Sequence, residues 1–161
     1  MSNVTNYEVL CASPLGVDLG KGDCAALAEV LSTRQLKADE ILIQENSTDD
    51  SLHVIISGRL DATCNTGNND YVTLHTLRAG DMAGAMGFVD GAEHSATLRA
   101  LSDTEVYTLK RQDLESLLDS HPVLVYKVMR SIIRSVHATM SHMNRQFVEM
   151  NNYIMKEHGR Y

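Results

Sequence analysis

The sequence predicts a mainly β protein with added α: an antiparallel β-roll or jelly roll (double-stranded β-helix), short flanking helices and a long C-terminal dimerisation helix. Three observations carry this. Short runs of alternating or β-branched residues recur between Glu40 and Lys110, with turn residues between them. The stretch from Ala79 to Ala100, A-G-D-M-A-G-A-M-G-F-V-D-G-A-E-H-S-A-T-L-R-A, places glycines at 80, 84, 87 and 91 between two such runs. From Pro122 to about Glu157 an apolar stripe of helical period continues without an internal Gly or Pro.

Taken in order, residues 1–12 are polar and aperiodic and read as a loose, flexible tail. Gly20-Lys21-Gly22 then punctuates the chain, and Asp23 suits the N-cap of a short helix over Cys24–Ser32, with Leu27, Val30 and Leu31 on one face. Strand character begins near Arg34. The expected strands are Glu40–Gln44, His53–Ser57, Arg59–Cys64, Tyr71–Leu77, Ser95–Ala100 and Thr104–Lys110. A short helix follows over Asp113–Asp119 until His121-Pro122 breaks it, and Pro122 suits the first turn of the next helix. The expected organisation is a tail at 1–12, a β-roll at 13–121 and a long helix at 122–161.

The glycines at 80–91 free backbone N–H groups to turn toward an anion, with a turn of helix at Ala85–Val89 behind them. A Gly-rich turn between strands satisfies the same spacing. In the long helix, Met129, Ile133, Val136, Met140, Met143, Phe147, Met150 and Ile154 step alternately by four and three. That heptad seam is expected to pair with a second copy, because a helix of about 50 Å overhangs a small β domain. Its flanks (Arg130, His137, Thr139, Asn144, Gln146) carry no opposite-charge code for a different partner. Packing of the stripe on its own domain is the alternative.

The chain has 161 residues and a net charge of −7. Residues 1–121 hold 8 Lys/Arg against 19 Asp/Glu, whereas residues 122–161 hold 6 against 2. An acidic body disfavours nucleic acid, and the basic residues of the helix do not interleave with aromatics. No run is apolar enough for a bilayer span and no secretory leader begins the chain, so the expected site is cytoplasmic. Cys11, Cys24 and Cys64 form no C-x-x-C pair and are expected as reduced thiols. His53, His75 and His94 are isolated, and G-x-S-x-G and H-E-x-x-H are missing. No metal, catalytic residue or enzyme activity is therefore expected.

These features together resemble the cyclic-nucleotide-binding domain of the catabolite activator protein (CRP/FNR) family, from about Pro14 to Asn152. P-L-G-V-D-L and A-L-A-E-V-L resemble the family's opening helix, and the segment from Arg34 to Ala62 resembles its first strands. Gly58, Gly80, Asp81, Gly84, Gly87, Ser95, Ala96, Arg99 and Ala100 stand where the family pattern places them. Asp39 and Asn46 stand in place of two family glycines, and both residue types tolerate a left-handed backbone.

The resemblance implies a ligand cassette of Gly84, Ala85, Met86, Gly87, His94, Ser95 and Ala96. It also implies two departures. Ala85 occupies the place of a glutamate that binds the ribose 2′-OH, and His94 that of an arginine that grips the cyclic phosphate. An imidazole lacks the permanently charged, bidentate fork of a guanidinium. Counted without gaps, Thr139 falls where the family's long helix offers a polar side chain to the purine. The chain ends within a few residues of the long helix, so a stand-alone module without a helix-turn-helix domain is expected.

Two functions follow. One is a dimeric regulatory protein acting through an unknown protein partner, with cAMP or cGMP binding weak or lost. The other is a working sensor of a cyclic nucleotide or other phosphate-bearing ligand, whose ligand shifts the packing of the C-terminal helices. Neither involves nucleic acid or membrane.

Overall fold

The computed structural model describes residues 2–158. Two four-stranded antiparallel sheets face each other. The first, in the order β1-β8-β3-β6, comprises Ser32–Leu36 (β1), Thr104–Lys110 (β8), Ser51–Ser57 (β3) and Met82–Ala83 (β6). The second, β2-β7-β4-β5, comprises Ile41–Ile43, Thr97–Ala100, Arg59–Asn65 and Tyr71–Arg78. The helices are α1 (Ser2–Ala12), α2 (Lys21–Val30), α3 (Ala85–Asp90), α4 (Arg111–Glu115) and α5 (Pro122–His158).

Strands β3 and β8 carry buried residues on both faces. In register, Leu52 lies opposite Leu109, His53 opposite Thr108, Val54 opposite Tyr107 and Ile55 opposite Val106. Ile55 and Val106 join Leu36, Leu60, Leu98 and Ala100 in the core between the sheets. Leu52, Val54, Tyr107 and Leu109 point the other way and meet Leu10, Leu27, Leu114, Leu124 and Val128 from the helices. One sheet thus separates two cores.

The turns that the sequence marks take up the backbone that it predicts. Asp39 and Asn46 both have positive φ, 70° and 64°, in the left-handed region that their side chains tolerate.

Several boundaries differ from expectation. The expected tail holds helix α1, because Leu10 is buried in the helical core and the Tyr7 hydroxyl donates to the Lys21 carbonyl at 2.9 Å. Helix α2 starts at Lys21, two residues before Asp23, with Gly20 at its N-cap and no side-chain cap, leaving Asp23 in the first turn. Strands β1 and β6 were not separated by the sequence pattern: β1 is exposed over four of its five residues, and β6 has only two. Helix α4 spans only Arg111–Glu115, and the chain continues in turns to Ser120.

Helix α5 starts at Pro122, as expected, and runs for 37 residues. It docks through Leu124, Val125, Val128, Ser131 and Ile132, all buried. An ion pair between Arg134 and Asp18 fastens the end of this docked portion to the turn after α1. The docking face is distinct from the heptad seam. Of the seam, Met129 packs against the helical core, whereas Ile133, Met140, Met143, Phe147 and Met150 are each more than half exposed.

Leu124→Ala, at a fully buried position, is expected to destabilise the protein by about 3 kcal/mol in urea denaturation. Val123→Ala, next to it but exposed, is expected to stay within about 0.5 kcal/mol of wild type.

Candidate functional site

The glycines of the cassette are placed by close approach as well as by turn geometry. Gly84, with φ of 81°, is the N-cap of α3. A Cβ there would lie 2.7 Å from the Ser51 carbonyl oxygen, so this turn is pressed directly onto β3. At Gly87 a Cβ would lie 2.8 Å from the Asp49 carbonyl oxygen and 2.9 Å from Cε1 of His94. Phe88, 1% exposed, anchors α3 in the core, while Met86 and Val89 face outward. No side chain caps the first turn of α3, so its leading N–H groups depend on solvent or a ligand.

His94 is folded inward. Its backbone N–H donates to Ser47 O at 2.9 Å, and its carbonyl accepts from Asn46 N–H at 2.8 Å, strapping the segment after α3 to the β2–β3 turn. The ring is buried against Gly87, with Nε2 3.5 Å from Asp49 Oδ1 and making no hydrogen bond. Oδ1 of Asp49 instead accepts the Ser51 N–H at 2.9 Å.

Beside this layer, inside the sandwich, lies His53. Its Nδ1 is 2.9 Å from the Thr108 hydroxyl, and its ring is 3% exposed. Burial pushes the imidazole down to about 4; the Asp49 carboxylate opposes that fall, and Arg34 and His94 add to it.

A cleft of about 710 Å³ opens between α5 and the second sheet. Its walls include Leu74, His75 and Thr76 of β5, Asp81, Ser95 and Ala96, and on α5 Thr139, His142, Met143, Gln146, Phe147 and Met150. The structure therefore brings Ser95, Ala96 and Thr139 to one cavity. Gly84, Ala85, Met86, Gly87 and His94 are not in its lining. Ala85 packs at the edge of the helical core. The Thr139 hydroxyl donates to its own helix, at Ser135 O, 3.1 Å away. No Lys or Arg is among the described residues lining the cleft.

Sequence reasoning missed Asp49 and His53 beneath the cassette, which lie more than thirty residues from α3 in the chain and meet it only through the fold. It also missed His142 and Gln146. Their signal was available, since 139, 142 and 146 share one helical face.

Among the described residues no group of three potential ligands could hold a metal ion, and no helix is long and apolar enough to cross a membrane. Two facing sheets, a glycine-capped α3 and a long flanking helix make up the fold of a cyclic nucleotide-binding domain. The chain belongs to the cyclic nucleotide-binding domain family, whose family model matches residues 33–121.

Solved structures agree on the fold. A cyclic nucleotide-binding domain from Methylobacillus flagellatus superposes with a TM-score of 0.84 at 21% identity, covering 91% of this chain and 84% of that one. The regulatory subunit of a cAMP-independent protein kinase A from Trypanosoma cruzi, bound to guanosine, gives 0.66 at 20% identity, covering 80% of this chain and 44% of that one. In sequence, an NTE family protein of Mycobacterium tuberculosis is 26% identical over 121 residues, 75% of this chain. The chain spans about a fifth of that relative's length, 20%.

His53 sets a pH dependence. An imidazole in the unfolded chain protonates near ~6.5. As pH falls from there toward about 4, the unfolded chain takes up a proton that the folded chain refuses. The stability His53 contributes is full above that window and lost across it, by on the order of 2 kcal/mol. Urea midpoints at about pH 7.5 and 4.5 are expected to converge more closely in His53→Asn, which can still meet Thr108, than in wild type.

Proposed function

We propose that this protein is a non-catalytic regulatory module that acts as a homodimer through protein–protein interaction, with a phosphate-binding cassette altered so that cAMP and cGMP bind weakly or not at all. The observation that carries this reading is the position of His94. Its ring is buried against Gly87 and lies outside the cleft lining, and the described cleft lining has no cationic side chain to replace it. Loss of a charge-assisted grip on phosphate costs about 2–4 kcal/mol, roughly 30- to 1000-fold in affinity. Ala85 removes the ribose acceptor as well. The exposed seam from Ile133 to Ile154 supports pairing with a second copy, since so many large apolar side chains on one helix face call for cover.

A second reading, a ligand-responsive dimer, is favoured by one observation. Met143, Phe147 and Met150 belong to both the cleft and the seam. An occupant of the cleft would touch the side chains that a partner helix would touch, and so bias their packing. The occupant would be a cyclic nucleotide or another phosphate-bearing ligand if an anion can be held by backbone N–H groups alone. The guanosine-bound T. cruzi structure supports an uncharged nucleoside instead.

Calorimetry with cAMP, cGMP and guanosine separates the readings. The first expects no measurable heat with either cyclic nucleotide, and a gain of at least about 30-fold in cAMP affinity in the double variant Ala85→Glu, His94→Arg. Micromolar cAMP binding by the wild type, abolished by Gly84→Asp, would establish the sensor instead. Sedimentation at tens of micromolar is expected to show a dimer that Met143→Glu converts to a monomer; a monomeric wild type overturns the dimer.

A further inference from the structure

Half of the chain's eight methionines lie in the heptad seam of α5, at Met129, Met140, Met143 and Met150. They differ in how far solvent reaches them. Met129 packs against the helical core, whereas Met140, Met143 and Met150 are 57%, 57% and 54% exposed in the single chain. Leucine would serve a two-helix seam better, because its stiffer side chain specifies the pairing more tightly. A thioether offers something leucine cannot: its sulfur takes up oxygen and turns an apolar side chain into a polar one. Three such sulfurs stand within about three turns of one helix face, and those of Met143 and Met150 belong to residues that also line the cleft. The chain carries its own references as well. Met82 is buried, and Met86 and Met155 are exposed but lie off the seam.

We propose that Met140, Met143 and Met150 are a modification site: peroxide converts them to methionine sulfoxide in the separated protomer and so keeps the chain from pairing through its seam. This rests on the homodimer reading above. The thioether sulfur gives an electron pair to one oxygen of hydrogen peroxide, and an S–O bond forms as the O–O bond breaks. The proton on the transferred oxygen passes to the departing hydroxide. Sulfur is oxidised by two electrons, the peroxide is reduced, and the products are one sulfoxide and one water.

Burial gives this chemistry its effect. In a paired seam the three side chains would be enclosed among Ile133, Phe147, Ile154 and their counterparts, which offer a sulfoxide oxygen no hydrogen-bond donor. Two-fold symmetry makes each modified residue count twice in the dimer. In the single chain the same oxygens face water and are well solvated. Oxidation and pairing therefore compete for the same three sulfurs. Pairing shields them, and oxidation withdraws chain from the pairing equilibrium until the sulfoxide is reduced.

The test uses the full chain, hydrogen peroxide, peptide mass mapping and sedimentation. At tens of micromolar, Met140, Met143 and Met150 are expected to oxidise at least about fivefold more slowly than Met155, a gap that narrows on dilution, while Met82 stays unmodified. Chain oxidised at all three positions is expected to sediment as a monomer, its dimer dissociation constant raised at least about a hundredfold. Methionine sulfoxide reductases for both epimers are expected to restore the dimer. The triple variant Met140→Leu, Met143→Leu, Met150→Leu is expected to pair more tightly than wild type and to hold its mass in peroxide. A wild type that stays dimeric with all three residues oxidised, or a triple variant that peroxide dissociates as readily, would overturn this proposal alone. A wild type that is monomeric before oxidation overturns the homodimer reading and this proposal with it.

Discussion

The pairing of β3 with β8 is the constraint on which the remaining structure depends. Because both strands are buried on both faces, their register fixes two cores at once. A slip of one residue would turn Leu52 and Leu109 toward the sandwich and Ile55 and Val106 toward the helices. It would also move His53 and Thr108 out from between the sheets. The cassette is set by the same strand. Gly84 rests on the Ser51 carbonyl and Gly87 on the Asp49 carbonyl, just before β3, so α3 is located by backbone contact rather than by side-chain packing alone.

This explains why the glycines speak more directly of fold than of ligand. Gly84 and Gly87 are required wherever α3 must press against β3, with or without a phosphate above it. His94, for its part, has a structural occupation. It fills the space over Gly87 while its backbone straps the segment after α3 to the β2–β3 turn.

Much of this was legible in the sequence. Strand periodicity located most of the β elements, and Asp39 and Asn46 announced two left-handed turns. Pro122 announced the start of α5. Other features were hidden for identifiable reasons. Helix α1 has no apolar stripe of its own, and its order rests on Leu10 and Tyr7 meeting distant residues. Strand β6 is too short for any period to show. The layer of His53, Asp49 and His94 is assembled from two separate segments, the start of β3 and the strap after α3.

Helix α5 draws these parts together because its sides have different tasks. Leu124, Val125, Val128 and Ile132 seat its first turns on the helical core. Further along, Thr139, His142 and Gln146 face the cleft. The heptad positions lie beside that face, and Met143, Phe147 and Met150 are common to both. A single stripe would give the helix one packing partner, whereas adjoining faces make its position depend on several. The docked turns, up to Ile132, are held by the core that α1, α2 and α4 share with β3 and β8. The turns beyond it carry both the cleft face and the seam, so that on one straight rod the position of both is set by the seat.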